Sequence, residues 1–388
     1  MRKGWEYKKL GEVCEVVTGT TPKTNIPEYW GKGHYWVTPA ELNDTTVYID
    51  KTERQITDEA LSKTKLRLLP VGTVLLSSRA PIGKVAIANA EMYCNQGFKN
   101  CICSEAIYNK YLFYFLRLKK DYLNSLGRGA TFKEISKSIV ESIKIPLPPQ
   151  STQLAIVSEL DKINELIRLK KEQLKDFDNL AQSLFYEMFG DPVENEKGWE
   201  VKKLGDVCSQ ITDGTHNSPT NTEKGDFMYV TAKNIKRDGI ILDNITYVDA
   251  ATHQSIYLRC NPEYGDVLYI KDGATTGIAT INNLKEEFSL LSSVALLKLG
   301  DEIVNYYLKA VLNTQSLYNS IRSNMGGAAI TRLTLVKIKA IRIPLPPLSL
   351  QQLFAQRIEQ IEREKSEVQK SIQDFETLLA SRMQYWFE

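Results

Sequence analysis

Two stretches of this chain have the residue types that bind phosphate. Residues 303–358 contain no aspartate or glutamate, whereas residues 117–144 contain three acidic residues among seven basic ones. The whole chain has a formal net charge of only +2, so both stretches are local concentrations of positive charge. They predict a phosphate-binding surface in each half of the chain. The alternative is a solvated basic face that acidic neighbours neutralise in the fold.

The sequence lacks the loops that would bind a nucleotide or a methyl donor. Adjacent prolines occur as Leu-Pro-Pro-Gln at 147–150 and Leu-Pro-Pro-Leu at 345–348, and neither fits the Asn/Asp-Pro-Pro-Tyr/Phe/Trp motif of a methyltransferase. The segment at 83–85, Gly-Lys-Val, lacks the hydroxyl residue and the upstream glycine of a Walker A loop. No glycine-rich loop after a strand suits S-adenosylmethionine. A self-contained methyltransferase is therefore disfavoured.

Carboxylates, histidines and cysteines form no catalytic or metal-binding pattern. A nuclease-like set could be assembled from Asp191, Glu200 and Lys202, but the corresponding Glu6 and Lys8 near the N-terminus have no acidic residue before them. The histidines are scattered in the sequence, at His34, His216 and His253. The six cysteines have no Cys-x-x-Cys spacing, and we interpret them as small buried hydrophobes. We predict no catalytic residue and no metal ligand.

Composition indicates a soluble globular protein of two to three domains. The chain has 388 residues, of which 43% are hydrophobic and 25% are charged. Residues 1–5 do not begin an apolar signal segment, and no stretch has about 18 uninterrupted apolar residues. We therefore expect a cytoplasmic protein without a membrane span.

The chain contains the same frame twice. Residues 4–14, Gly-Trp-Glu-Tyr-Lys-Lys-Leu-Gly-Glu-Val-Cys, return at 198–208 with nine identities in eleven positions. The segment Ile-Pro-Leu-Pro-Pro at 145–149 returns at 343–347. The two offsets, 194 and 198 residues, are about half of the chain length. Since the halves diverge between these segments, we expect one duplicated frame that carries two different surfaces.

Each half is expected to be an α+β, strand-rich domain. Short β-branched or aromatic runs bounded by turn residues predict strands. These runs are 13–17, 35–38, 73–77, 84–88, 228–231, 266–270 and 278–281. Amphipathic stretches at 107–118 and 303–312 predict short helices.

A long helix is expected after each proline segment. Residues 151–189 and 349–388 contain neither proline nor glycine, and their apolar residues are spaced mostly three and four apart. In the first helix these are Ile156, Leu160, Ile163, Ile167, Leu174, Phe177, Ala181, Leu184 and Met188. In the second they are Ile358, Ile361, Val368, Ile372, Phe375 and Leu379. Chain connectivity then predicts an antiparallel coiled coil, in which a helix of roughly 38 residues is about 57 Å long. A helix pair that is only structural core or a dimer seam is the alternative.

With this order of motifs, the chain resembles the DNA specificity subunit of type I restriction-modification systems over essentially its whole length. The resemblance implies two tandem target recognition domains, residues 1–149 and 191–347, in a pseudo-twofold internal repeat. It implies that residues 150–190 and 348–388 are spacer helices that set the gap between two half-sites. Each recognition domain would read one half of a bipartite double-stranded DNA target.

The resemblance also implies partners. Two methyltransferase subunits would dock on the helices and restriction (helicase-nuclease) subunits would join them, so S-adenosylmethionine, ATP and Mg would bind to partner subunits and not to this chain. A type IIB-like system, an orphan recombining locus, and a coiled-coil scaffold or transcription regulator are the alternatives. Genomic adjacency to methyltransferase and helicase-nuclease genes would separate the scaffold or regulator from a specificity subunit.

Glycine-containing loops at matching positions of the two halves are the candidate DNA-contacting segments. Glycine permits close backbone approach, and hydroxyl, amide and basic side chains donate to bases and phosphates. In the first half the candidates are Thr20, Thr21, Lys23, Arg79, Lys84, Gln96, Lys99, Arg128 and Lys133. In the second they are Thr215, His216, Asn217, Lys271, Thr275, Thr276, Thr331 and Arg332. That these loops are simply turns is the alternative for each residue.

Overall fold

The chain folds into two compact units. The computed structural model describes residues 5–79, 81–129, 133–323 and 332–388, apart from the side chain of residue 322. Unit 1 comprises Met1–Lys171 and Lys370–Glu388, and unit 2 comprises Glu172–Gln369. Each unit therefore contains one copy of the duplicated frame together with a part of both long helices.

Unit 1 is strand-rich, as the sequence predicts. Its described strands are β1 Glu6–Lys9, β2 Cys14–Thr18, β3 Trp30–Val37, β4 Tyr48–Ile49, β5 Gln55–Ile56, β6 Val74–Leu76, β7 Val85–Ala88, β8 Tyr93–Cys94, β9 Lys99–Cys103 and β10 Lys144–Leu147. Its described short helices are α1 Leu10–Val13, α2 Asp58–Lys63, α3 Asn109–Leu118, α4 Lys120–Leu126 and α5 Lys137–Ser142. The first long helix, α6, spans Gln150–Phe189.

Unit 2 repeats this order. Its described strands are β11 Glu200–Lys203, β12 Cys208–Asp213, β13 Phe227–Val230, β14 Ile235–Lys236, β15 Gly239–Ile240, β16 Thr246–Val248, β17 Val267–Ile270, β18 Ala279–Ile281, β19 Phe288–Leu290, β20 Val294–Leu299 and β21 Arg342–Leu345. Its described short helices are α7 Leu204–Val207, α8 Ala250–Tyr257, α9 Asn305–Leu312, α10 Gln315–Ser323 and α11 Leu335–Lys339. The second long helix, α12, spans Leu348–Phe387.

The sheets of the two units correspond. Unit 1 has the strand orders β2-β9-β6-β7-β4 and β5-β3-β8, and unit 2 has β12-β20-β17-β18 and β16-β13-β19. In both three-stranded sheets the central strand has one antiparallel and one parallel neighbour. The predicted strands and short helices are present with bounds shifted by at most five residues, and the α+β repeat is confirmed.

The repeated sequence segments pair with each other within each unit. Strand β1 runs antiparallel to β10, with Glu6 opposite Leu147, and β11 runs antiparallel to β21, with Glu200 opposite Leu345. These pairs bring the first and last strands of each globular part together. The repeated segments therefore form a two-stranded sheet that joins the beginning and the end of each globular part.

A buried glutamine joins each long helix to its domain. Gln153 is fully buried; its Nε2 donates to the carbonyls of Ala106 and Pro148, and its Oε1 accepts from the Tyr108 amide. Gln351 is equally buried and makes the same three bonds, to Glu302, Pro346 and Val304. Each glutamine thus satisfies three backbone groups, including the carbonyl of a buried proline.

The two long helices pack antiparallel within each unit, as predicted. In unit 1, Glu159 pairs with Arg382 and Lys171 lies 2.7 Å from Glu376. In unit 2, Asp178 lies 2.5 Å from Lys365, and Phe185 packs with Phe354 at a centroid distance of 6.0 Å. In each unit the residue number rises along one helix while it falls along the other.

The predicted apolar seam is buried in the first half of α6, and its positions from Leu174 onward are only partly buried. Ile156, Leu160, Ile163 and Ile167 are buried, as expected. Ala181, Leu184 and Met188 are only partly buried, whereas Phe185 and Phe189 are 3% and 1% exposed. The two phenylalanines form an adjacent i, i+4 stripe that packs with Tyr307 and Phe354, and these large rings bury more surface than the predicted positions.

The six cysteines are free thiols, and Cys14, Cys94, Cys101 and Cys260 are buried, as expected, while Cys103 and Cys208 are partly exposed. Within the described ranges, no group of three or more histidine, cysteine or acidic side chains is arranged to hold a metal. None of the helices in that part of the chain has the length and apolarity to cross a membrane.

Candidate nucleic-acid interface

Four loops of unit 1 meet at the ends of β2, β6 and β9. The amide of Thr20 donates to the Cys94 carbonyl at 2.9 Å, and the Ser78 amide donates to the Gly97 carbonyl at 2.7 Å. The Ile135 amide donates to the Ser78 carbonyl at 3.0 Å. We call the described residues of segments 18–24, 77–84, 94–99 and 128–135 the first loop face. The sequence-predicted loops of this half are thus brought together.

The equivalent loops of unit 2 meet in the same way. The Thr215 amide donates to the Leu290 carbonyl at 2.8 Å, and the Lys271 amide donates to the Ser293 carbonyl at 2.9 Å. The Leu333 amide donates to the Lys271 carbonyl at 2.7 Å. We call segments 212–218, 271–277, 290–293 and 332–334 the second loop face. Segment 290–293 contains none of the contact residues predicted from the sequence.

Glycine is required where two loops of each face cross. A Cβ added to Gly19 would lie 1.9 Å from the Asn95 carbonyl oxygen, and one added to Gly214 would lie 1.8 Å from the Leu290 carbonyl oxygen. Any other residue would force the two backbones apart. The glycines that the sequence marked as turn residues are thus close-approach positions in both faces.

Most predicted contact residues of the first loop face are accessible. Thr20, Lys23, Gln96, Arg128 and Lys133 are exposed, while Thr21, Arg79 and Lys84 are partly exposed. Thr21 Oγ1 donates to Gln96 Oε1, which joins two of the loops through side chains. The Lys84 ammonium donates to the Pro39 carbonyl at 3.1 Å. This face therefore presents hydroxyl, amide and basic donors together.

The second loop face presents a different set. His216, Asn217, Thr275 and Arg332 are exposed and Thr215 is partly exposed. Thr276 is buried and donates to the Gly273 carbonyl at 2.7 Å. The predicted Thr331 lies outside the described residues.

Two predicted contact residues are buried lysines. The Lys99 side chain is 7% exposed and its ammonium lies 2.9 Å from Glu134 and 3.3 Å from Ser78 Oγ. The Lys271 side chain is 3% exposed and its ammonium lies 3.1 Å from Asp213. An ammonium in the interior needs a carboxylate partner, and these two have one. We therefore exclude Lys99, Lys271 and the buried Thr276 from the surface that a duplex can contact.

The loop faces also involve residues that the sequence did not single out. The indole N–H groups of Trp36 and Trp30 donate to the carbonyls of Thr20 and Lys23 at 3.2 and 3.3 Å, and the Arg54 guanidinium stacks 3.7 Å over Trp30. In unit 2, Arg259 contacts the start of the 212–218 loop. These contacts link segments separated by up to 46 residues, so no local spacing could have indicated them.

Burial keeps the thiols beside the loop faces protonated. It raises the pKa of Cys94, next to Gly19, to about 12. It raises the pKa of Cys260, next to Arg259 in the chain, to about 12 as well. A thiol with such a pKa supplies almost no thiolate near neutral pH. Neither cysteine has the properties of a nucleophile.

Comparison with known proteins agrees with this arrangement. The family model described as the type I restriction modification DNA specificity domain matches residues 2–176 and again residues 196–374. The chain is 31% identical over 376 residues to the MjaIX type I restriction enzyme specificity subunit of Methanocaldococcus jannaschii, a match that covers 91% of this chain and 85% of that protein.

Solved structures share the fold. A chain from a structure on complex assembly and conformational transition of the type I R-M system has a TM-score of 0.66 and 21% identity, over 99% of this chain and 97% of that chain. The crystal structure of the S subunit of a type I restriction-modification system from M. genitalium has a TM-score of 0.54 and 16% identity, over 99% and 96%. With both copies of the family domain matched, this chain belongs to the family of type I restriction-modification DNA specificity subunits.

Proposed function

We propose that this chain is the sequence-reading subunit of a type I restriction-modification complex. Residues 1–149 and 191–347 are two target recognition domains, and each reads one half of a bipartite, asymmetric duplex site through its loop face. Residues 150–190 and 348–388 are the spacer helices. They fix the gap between the half-sites and dock two methyltransferase subunits, which restriction subunits then join.

The observation that supports this proposal is that the two domains share the same supporting contacts but have different donor residues on their loop faces. Gln153 and Gln351 make the same three hydrogen bonds, and Gly19 and Gly214 make the same close approach. The donors on the faces nevertheless differ, with Arg79 and Lys84 in one and His216 and Asn217 in the other. A shared support with different donor sets is what independent recognition of two unlike half-sites requires.

Exposed apolar residues on the long helices support the docking of partner subunits. Leu166 and Leu169 on α6 are 41% and 46% exposed, and Leu180 is 51% exposed. On α12, Leu378 is 44% exposed. Leu166 and Leu169 are three residues apart and so lie on one face of α6, where a partner subunit would cover them.

We assign the catalytic steps to the methyltransferase and restriction subunits. The chain has no methyltransferase Pro-Pro motif and no Walker A sequence, and its buried thiols lack nucleophilic character. We propose that this subunit is non-catalytic and that S-adenosylmethionine, ATP and Mg bind to the methyltransferase and restriction subunits. We also propose that the complex is cytoplasmic.

The decisive experiment is genome-wide mapping of methylated bases in cells that express this chain with its partner methyltransferase. We expect one asymmetric motif made of two specified halves and a gap of fixed length. Replacing residues 1–149 with the matching domain of a relative should change one half only. A change in both halves contradicts independent readers, and a continuous motif contradicts the bipartite site.

A second measurement tests the assignment of chemistry. The isolated chain is incubated with duplex DNA and S-adenosylmethionine, and separately with Mg. We expect neither methylated nor cleaved DNA. Either product, formed by material free of partner subunits, would show that the chain is an enzyme by itself.

A further inference from the structure

The two-stranded sheet that joins the ends of each globular part has two positive side chains directly opposite each other. In unit 1, Lys9 on β1 is the partner of Lys144 on β10. In unit 2, Lys203 on β11 is the partner of Arg342 on β21. All four residues are exposed. Because the Cβ atoms of such cross-strand partners lie only about 5 Å apart, each pair is a like-charge contact that destabilises its sheet.

The chain's own carboxylates do not neutralise these pairs. The described residues include every aspartate and glutamate of the chain, and none of them forms an ion pair with the four cations. Glu12 and Asp206 instead accept hydrogen bonds from the backbone amides of Lys9 and Lys203, at 2.7 and 3.4 Å. Both sheets therefore present two unpaired positive charges to solvent.

The exposed sheet surface is the same in both units, whereas the loop faces differ. Two residues before Lys9 in β1 is Tyr7, and two residues before Lys203 in β11 is Val201; they are 49% and 41% exposed. Side chains two positions apart lie on the same face of a strand. Each unit thus has a basic surface with an apolar residue beside it. A surface that is alike in both units suits a ligand that is alike in both, and two unlike half-sites are not such a ligand.

The sheets lie away from the loop faces and next to the long helices. In unit 1, α1 and the five residues of β2 separate Lys9 from the loop that begins at Thr18. At about 3.3 Å per residue, β2 alone is longer than a lysine side chain. Strand β10, in contrast, ends at Leu147, shortly before α6 begins at Gln150. This position favours a protein that docks on the helices over a duplex that the loops hold.

We propose that each of these sheets binds an acidic surface of one methyltransferase subunit, through Lys9 and Lys144 in unit 1 and through Lys203 and Arg342 in unit 2. The partner's carboxylates relieve the repulsion within each pair, so a contact that destabilises the free chain favours the complex. The proposal rests on the proposed function. It extends the docking surface from the long helices to both recognition domains.

The test is a titration of the full chain with its partner methyltransferase at low and at high salt, which yields the stoichiometry and both dissociation constants. Lys9→Gln with Lys144→Gln should weaken one of the two binding events roughly tenfold, mainly through slower association. Lys203→Gln with Arg342→Gln should do the same to the other event, and the combined variant should weaken both. The differences should become smaller at high salt, which screens exposed charges.

Two controls separate this effect from misfolding and from net charge. Since each double variant removes a like-charge contact, neither should lower the unfolding temperature of the free chain. If one of them does, the variant of the other unit decides. Lys63→Gln with Lys65→Gln removes two exposed charges from unit 1 outside the sheet and should leave both binding events unchanged. Equal weakening by this control would attribute the effect to net charge and overturn the proposal.

Three other results have distinct meanings. Unchanged binding of the methyltransferase by both sheet variants would overturn the proposal. Normal assembly with a lower affinity of the assembled complex for duplex DNA would overturn it too, because the sheets would then contact phosphates. If the unaltered chain binds no methyltransferase, the proposed function itself fails, and this titration is performed before any variant is made.

Discussion

The Lys271 ammonium lies 3.1 Å from the Asp213 carboxylate, and both side chains are almost fully buried at the second loop face. In unit 1 the residue equivalent to Lys271 is Ser78. Val74 pairs with Cys101 as Val267 pairs with Leu297, and Ser78 and Lys271 each lie four residues after the valine. Unit 1 has its buried lysine elsewhere, at Lys99 on β9. Each face thus contains a buried lysine paired with a carboxylate, but the carboxylate is buried in unit 2 and, at Glu134, 40% exposed in unit 1.

Asp213→Asn should destabilise unit 2 by about 3 kcal/mol, because it leaves the buried Lys271 without a charged partner. The measurements are thermal unfolding of the full chain and hydrogen exchange at the amides of β12 and β17. Adding Lys271→Met should recover part of the loss. Asp272→Asn is the control, since Asp272 is 42% exposed and lies 4.0 Å from Arg332. Equal effects of the two asparagine variants would contradict the importance of the buried pair.

Replacing Arg79 and Lys84 together with alanine should weaken methylation of the cognate site by roughly tenfold. Both residues belong to the first loop face, and Arg79 lies where the 77–84 and 128–135 loops pair through Glu134. The assay uses the assembled complex on the mapped motif. The double variant Lys63→Ala with Lys65→Ala removes the same charge from exposed positions outside the face and should have little effect. An unchanged rate for the first variant would remove this loop from the DNA-contacting surface.

The frame of each domain could be predicted from the sequence because its signals are local or repeated. The duplicated segments at 4–14 and 198–208 mark equivalent strands, and the absence of proline and glycine from 151–189 marks the long helix. The apolar spacing then gave the helix pairing, except where Phe185 and Phe189 pack on the rings of unit 2.

The loop faces could be located from the sequence, but which of their side chains are buried and ion-paired could not. Lys99 and Lys271 have the residue type of a phosphate ligand, yet their partners Glu134 and Asp213 lie 35 and 58 residues away in the chain. Burial depends on which strands become neighbours, and the sequence does not specify this at single residues. For the same reason, the sequence does not indicate the contact between Arg259 and the Gly214 carbonyl, which lie 45 residues apart.

Gln153→Leu and Gln351→Leu should each destabilise their own unit by about 2 kcal/mol, since each change removes the side-chain partner of three backbone groups, one of which is the carbonyl of a buried proline, Pro148 or Pro346. Hydrogen exchange resolves the two units separately. Gln153→Leu should increase exchange at Tyr108, and Gln351→Leu should increase it at Val304, whose amides lose their acceptor. The two variants are controls for each other. Increased exchange in the unaltered unit would contradict the assignment of one glutamine to each domain.

The ion pair between α6 and α12 in unit 1 should make that unit acid-sensitive. Hydrogen bonds from Arg382, and secondarily from Trp386, hold the pKa of Glu159 below its usual range. A carboxyl whose pKa is depressed in the folded state contributes stability above its unfolded pKa of about 4.3, and this stability is lost as pH falls through the folded value. Glu159→Gln should therefore lower the unfolding temperature near neutral pH and have a smaller effect at about pH 3.

Glu165→Gln is the matched control for this prediction. Arg168 also lowers the pKa of Glu165, but that pair is exposed on α6 and lies within one helix. Exposed pairs at this spacing contribute little to stability, so its removal should barely change the unfolding temperature at either pH. If Glu159→Gln lowered the unfolding temperature equally at both pH values, the loss would come from packing at Trp386 and Arg382 and not from the charge of Glu159.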